Sequence, residues 1–195
     1  MAQLLAPFAG DASDELAARL RKNFGSLRRA LDAPRETLLD AAGPFSKTCE
    51  LLLAARELFD VASREDMLSR RVDISDPALA KFIRDRIGFC DEERLLVIFS
   101  GAGQSYLLDE EMGLGGPDTV RLTSAKLFRR ALTVGAQGIM LAHNHPSGIC
   151  TPSEPDKLAT RELADLAAKL QIDLIDHLIV TRSKIYSMRA GGHFN

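Results

Sequence analysis

Apolar positions recur at helical spacing through the first third of the chain and give way after residue 94 to short continuous apolar runs. Ser13-Asp14-Glu15 offers an N-cap and early acids before Leu16, Ala17 and Leu20. Gly25-Ser26 resets the chain, and Ala33-Pro34-Arg35 opens another helical piece through Leu38 and Leu39, which Gly43-Pro44 breaks. A longer amphipathic helix carrying Cys49, Leu52, Leu53, Leu58 and Phe59 is expected to end near Val61. The charged stretch from Ser63 to Arg71 reads either as a solvated linker or, at Arg70-Arg71, as a basic patch; the first reading is preferred. These features predict a small helical domain over residues 1–68.

Beyond the linker, Ser75-Asp76-Pro77 starts a helix that runs through Leu79, Phe82, Ile83 and Ile87 to Gly88. Arg94–Phe99 reads as a central strand, Gly101-Ala102-Gly103-Gln104 as a turn and Ser105–Leu108 as the antiparallel partner. The two glycines of that turn lack the third glycine, the lysine and the following helix of a phosphate loop. Asp118–Leu122 is expected as a short edge strand, and Ser124 as the cap of a helix from Ala125 to Val134. A buried strand over Gln137–Ala142, a helix over Asp156–Leu170 and a hairpin of Asp173–Thr181 with Lys184–Met188 complete the unit. Mixed strands and helices around one sheet define an α+β domain over residues 75–195.

The composition is that of an ordinary globular chain, with 46% hydrophobic and 27% charged residues among 195. A net charge of −2 supplies no bulk attraction to nucleic acid or to a membrane surface. No apolar run approaches the ~20 residues that span a bilayer. The N-terminus has no secretory pattern. Cys49, Cys90 and Cys150 have neither zinc-finger nor CxxC spacing, which fits a reducing cytoplasm.

The candidate chemistry lies in His143-Asn144-His145-Pro146-Ser147-Gly148, followed by Ser153-Glu154-Pro155-Asp156. Side chains two apart on a strand share a face, so His143 and His145 project together from the strand end and Asn144 points away. Two adjacent imidazoles are half of a zinc site. Pro146, Ser147 and Gly148 turn the chain, and the loop returns Asp156 at the start of a helix as a third candidate ligand. Three protein ligands leave zinc an open position, as in catalytic sites. Cys150, inside the loop, is either a further ligand or redox-sensitive thiol or a small loop residue; the second reading is preferred.

This spacing resembles the JAMM/MPN metalloprotease signature. HNHPSG, PSxxD and Asp176-His177-Leu178-Ile179-Val180 resemble its bacterial RadC branch. The resemblance implies an MPN/JAB fold, a cytidine-deaminase-like α-β-α arrangement around a mixed sheet, over residues 75–195. It implies zinc held by His143, His145 and Asp156, with Ser153 stabilising the tetrahedral intermediate. It also implies an upstream glutamate as general base, matched best by Glu93, with Glu92 as the neighbouring candidate. Asn144 and Ser147 are expected to shape the loop. Asp176-His177 reads either as a carboxylate that orients a ligand histidine or as a structural hydrogen-bonded pair, the latter preferred.

Residues 24–59 resemble the helix-hairpin-helix region of RadC proteins, but the turn reads Ala42-Gly43-Pro44-Phe45. One glycine of the usual Gly-x-Gly is missing, and Pro44 has no N–H to offer a phosphate. Where relatives carry Gly-Thr and later Pro-Arg-Glu, this chain has Gly115–Val120 and Leu122–Lys126. The expected function is a zinc-dependent metallopeptidase or isopeptidase acting on a peptide or protein tail. The alternatives are a DNA-associated accessory protein and a non-catalytic MPN interaction scaffold. A complete ligand set argues against the scaffold.

Overall fold

The computed structural model describes residues 1–113 and 117–194, the side chains of 117–123 excepted. The chain divides into two compact units, Met1–Ser63 and Arg64–Asn195. The first is all helical: α1 (Ala2–Ala9), α2 (Ser13–Phe24), α3 (Leu27–Asp32), α4 (Arg35–Ala42) and the start of α5 (Ser46–Leu68). Its core gathers Leu5, Leu16, Leu20, Leu38, Cys49 and Leu52. Ser26 caps α3 by accepting the Arg29 N–H at 3.1 Å. Gly43 turns the chain at φ +58°, and a Cβ there would lie 2.9 Å from the Arg19 guanidinium. The positive φ favours glycine at that turn, and the flexible Arg19 guanidinium packs where a side chain would otherwise stand.

α5 runs seven residues beyond the expected end at Val61, into the stretch expected as a solvated linker. Arg, Glu, Met and Leu are good helix formers, so charge alone does not stop a helix. The stretch also has partners. Arg64 binds Asp109, Met67 is buried, and Arg70 binds Asp76 at 3.1 Å.

The second unit continues with α6 (Pro77–Ile87), β1 (Leu95–Ser100), β2 (Tyr106–Glu111), α7 (Pro117–Thr133), β3 (Gly138–Asn144), α8 (Glu154–Lys169), β4 (Asp173–Val180) and β5 (Ile185–Ser187). Asp76 caps α6 by accepting the Ala78 N–H, with Pro77 in the first turn. The strands form one mixed sheet in the order β2-β1-β3-β4-β5. Only β3 and β4 are parallel, and α8 makes the crossover between them. The two faces of the sheet alternate residue by residue. Leu96, Ile98, Met140, Ala142, Leu178 and Val180 share a core with Leu79, Phe82, Ile83 and Ile87 of α6. Val97, Phe99, Ile139 and Leu141 share the opposite core with Leu127, Phe128 and Ala131 of α7 and with Leu163 and Ala167 of α8. The unit is therefore an α-β-α layer structure, as expected.

One expected element is replaced. Asp118–Leu122 lies in the first turns of α7 rather than in an edge strand, and the helix starts at Pro117 rather than after Ser124. Pro117 has the fixed φ of a first helical turn. The sheet edges are β2 and β5. Gly115, part of the altered family segment, lies outside the described residues, as does Gly116.

Between α6 and the β1–β2 hairpin sits a buried polar cluster. The Asp109 carboxylate, fully buried, accepts from the Tyr106 hydroxyl at 2.5 Å and from Arg64 at 2.9 Å, and pairs with Arg86 at 3.4 Å. Burial, and then the Asp109 bond, push the Tyr106 phenol well above its usual value. The unfolded chain releases this proton near pH 10.0 and the folded chain retains it, so the stabilisation holds below that pH and is lost as pH rises above it. Denaturant unfolding at about pH 9 and about pH 11 is expected to cost wild type more stability than Tyr106→Phe. Equal losses in both proteins would mean that the phenol is not held in this way.

Candidate metal centre

β3 delivers the first histidine. Its register sets His143 opposite Leu95 on β1 and opposite Ile179 on β4. His145 follows the strand end, where its N–H still donates to the Val180 carbonyl at 2.8 Å. The loop then folds under it. The Gly148 N–H donates to the His145 carbonyl at 3.0 Å, and Gly148 takes φ +81°, a conformation that favours glycine. This turn brings the Ile149 carbonyl to 2.8 Å from His145 Nδ1. α8 begins with a reciprocal capping box. The Asp156 N–H donates to Ser153 Oγ at 3.2 Å, while the Ser153 N–H and hydroxyl donate to Asp156 Oδ2 at 2.7 and 2.6 Å.

His143, His145 and Asp156 converge as the sequence leads one to expect. The two Nε2 atoms are 2.9 Å apart. Asp156 Oδ1 lies 3.3 Å from His143 Nε2, and Oδ2 lies 3.6 Å from His145 Nε2. Among the described residues this is the group of histidine, cysteine and acidic side chains that could hold a metal ion. Its side chains are 12%, 13% and 19% exposed, so the group is open enough for a small ligand to reach.

The donor set fits a cation. A carbonyl can only accept, so His145 carries its proton on Nδ1 toward Ile149, and the neutral ring presents a bare Nε2. Two imidazole nitrogens and a carboxylate then point at one another. Atoms at tetrahedral positions around zinc, with bonds of about 2.0–2.1 Å, are separated by about 3.3 Å. The three observed separations bracket that value. Burial opposes ionisation of Asp156, but the His143 ring beside it and the hydrogen bonds from Ser153 outweigh it and hold the carboxyl well below the usual range.

Three neighbours carry more than the sequence suggested. Asn144, buried and turned away from the histidines, donates to the Cys90 and Glu92 carbonyls at 3.2 and 3.0 Å and accepts the Arg94 N–H at 2.7 Å. It grips the backbone on both sides of the exposed Glu93, rather than shaping the metal loop. Ser147, by contrast, does act within the loop, accepting the Ile149 N–H at 3.4 Å. The Asp176 carboxylate does not orient the adjacent imidazole. It accepts the backbone N–H groups of His177 and Arg189 and the Ser187 hydroxyl. The His177 ring instead lies with Nε2 2.8 Å from His143 Nδ1 and Nδ1 2.6 Å from the Thr160 hydroxyl. Burial, as the largest cause, pushes His177 down to about 3, which favours its neutral ring. Thr160 escaped the sequence reading, although it stands one helical turn beyond Asp156 on the same face. The Cys150 thiol points at the Ile179 carbonyl at 3.4 Å and lies outside the convergent group.

Residues 74–193 match the family model of the RadC-like JAB domain. The chain belongs to the RadC-like JAB family. Among its relatives, a UPF0758 protein of Paraburkholderia xenovorans is 32% identical over 180 residues, covering 91% of this chain and 70% of the relative. One from Burkholderia mallei is 33% identical, covering 91% of this chain and 64% of the relative. One from Pseudomonas fluorescens is 31% identical over 199 residues, covering 98% and 88%. The chain thus spans about two thirds of the length of the first two. The RadC-like match contains every residue of the convergent group, together with Glu93, Ser153, Thr160 and His177. No helix among the described residues is long and apolar enough to cross a membrane.

Proposed function

We propose that this RadC-like JAB domain is a zinc-dependent metallopeptidase or isopeptidase that hydrolyses an amide in a peptide or protein tail. The observation that carries the reading is the convergence of the two Nε2 atoms and the Asp156 carboxylate, at separations of 2.9, 3.3 and 3.6 Å. Zinc held there would polarise an amide carbonyl and lower the pKa of a water from 15.7 toward ~7.

The chain's own residues supply the rest. Glu93 is the general base. It takes a proton from the attacking water as the new C–O bond forms, and returns it to the amine nitrogen as the C–N bond breaks. Ser153 first holds Asp156 in place. Its hydroxyl proton is given to Asp156 Oδ2 in the resting arrangement, and donation to the developing oxyanion requires that proton to swing toward the substrate. Asn144 keeps Glu93 in register by its bonds to the flanking peptides. The complete ligand set weighs against a non-catalytic scaffold. The helical unit lends the DNA-associated alternative no comparable support, because Pro44 has no N–H at the hairpin turn.

The test is elemental analysis of the tag-free full-length chain, followed by assay against peptide and lysine-isopeptide substrates with and without chelator. The expected result is about one zinc per chain and a hydrolysis that chelation abolishes and added zinc restores. A chain that takes up no zinc when it is supplied would sink the reading.

A further inference from the structure

We infer that Thr160 and His177 are positioning residues that set which ring nitrogen of His143 faces the metal centre. The inference rests on the metal-centre reading and adds a chain of protons with one direction.

The direction starts at a group that cannot donate. Thr160 Oγ1 lies 2.6 Å from the Asp156 backbone carbonyl and 2.6 Å from His177 Nδ1. The hydroxyl has one proton, and the carbonyl can only accept it. The remaining contact is a hydrogen bond only if His177 Nδ1 donates. A neutral imidazole has a single N–H, so His177 Nε2 is then an acceptor. It lies 2.8 Å from His143 Nδ1, which must carry the proton. His143 is left with a bare Nε2, the atom that faces His145 and Asp156. The Met188 sulfur, 3.5 Å from Thr160 Oγ1, is a weak acceptor and does not redirect the hydroxyl.

Position and burial make the chain effective. His177 pairs in register with Leu141, so its ring reaches diagonally to His143 two residues on, on the α8 side of the sheet. Thr160 is 0% and His177 5% exposed. Water is therefore excluded from the relay, and its reversal would leave the Thr160 hydroxyl with two buried acceptors, the Asp156 carbonyl and His177 Nδ1, for its one proton. The relay starts at the backbone of one ligand, Asp156, and ends at the ring of another. It ties the orientation of His143 to the first turn of α8.

The discriminating substitution is Thr160→Val, which keeps shape and removes the hydroxyl. His177 then loses its acceptor at Nδ1 and is freed to hold its proton on Nε2. It donates to His143 Nδ1 and forces the His143 proton onto Nε2, the ligand atom. Long-range proton–nitrogen correlation spectra of the metal-free, full-length chain, at about pH 8 where imidazoles are neutral, read the tautomers directly. Wild type and Thr160→Ser are expected to carry the His143 proton on Nδ1, and Thr160→Val on Nε2. His145, whose Nδ1 donates to Ile149, is expected to stay unchanged in all three and reports an intact loop. Zinc affinity, read by competition with a chelator, is expected to fall about 10–100-fold in Thr160→Val and little in Thr160→Ser.

A folded Thr160→Val chain with wild-type tautomers and affinity overturns the inference. Should that variant not fold, His177→Gln, whose side-chain carbonyl can accept from His143 Nδ1, is expected to retain zinc that His177→Phe loses; equal behaviour of the two also overturns it. The two readings fail separately. Nδ1-protonated His143 in a chain that binds no zinc sinks the metal centre and leaves the relay. Nε2-protonated His143 in a chain that binds zinc sinks the relay alone.

Discussion

Glu93→Gln is expected to lower amide hydrolysis about 10²–10⁴-fold while zinc content stays near one per chain. The argument is one of register. β1 and β3 pair antiparallel with Leu95 opposite His143, and continuing that register by two residues brings Glu93 opposite His145. Carried two residues ahead of β1, the same alternation would set Glu93 on the side of Leu95, Val97 and Phe99, the face that packs on α8. By the same extension Glu92 would fall with Leu96 and Ile98, on the side of α6. Glutamine keeps the shape of glutamate and cannot take a proton at neutral pH. Glu92→Gln is therefore the control and should remain close to wild type. Full activity in Glu93→Gln, or a loss confined to Glu92→Gln, would reverse the assignment.

The second large effect is on the metal itself. His145→Ala removes one of three protein ligands, and the variant is expected to keep essentially no zinc through dialysis where wild type keeps about one. Stability reports the same event without any substrate. A ligand that binds only the folded chain stabilises it by about 4 kcal/mol at a thousandfold excess over its Kd. Wild type should therefore gain strongly in unfolding temperature when zinc is added, and His145→Ala should gain little. The loop keeps its Gly148 turn in the variant, because the bond from the Gly148 N–H goes to the residue 145 backbone rather than its ring. Stoichiometric zinc in the variant would show that His145 is not a ligand.

Much of the architecture was legible in local patterns. Continuous apolar runs marked β1 and β3, because each is covered on both faces. Asp76-Pro77 marked the start of α6, and the Ser153–Asp156 spacing marked a helix start as well as a candidate ligand, since one capping box does both jobs. Two boundaries were not legible. α5 continues through Arg64–Leu68 because Arg64 and Met67 find partners distant in sequence. α7 replaces an edge strand because Thr119–Leu122 suits either state locally, and nothing nearby in the sequence indicates the edges the sheet has.

The sequence by itself determined the family, the α-β-α order of elements and the convergent His143, His145 and Asp156, since a period of two on a strand and a fixed loop length are local properties. Only the tertiary structure decided what stands behind them. Asn144 reaches back more than fifty residues to Cys90, and His177 and Thr160 meet His143 through the parallel pairing of β3 with β4 and the crossover of α8. Those contacts are set by how the strands are ordered in the sheet and how the helix lies across them. No spacing along the chain encodes that, because the partners are brought together by packing rather than by neighbourhood.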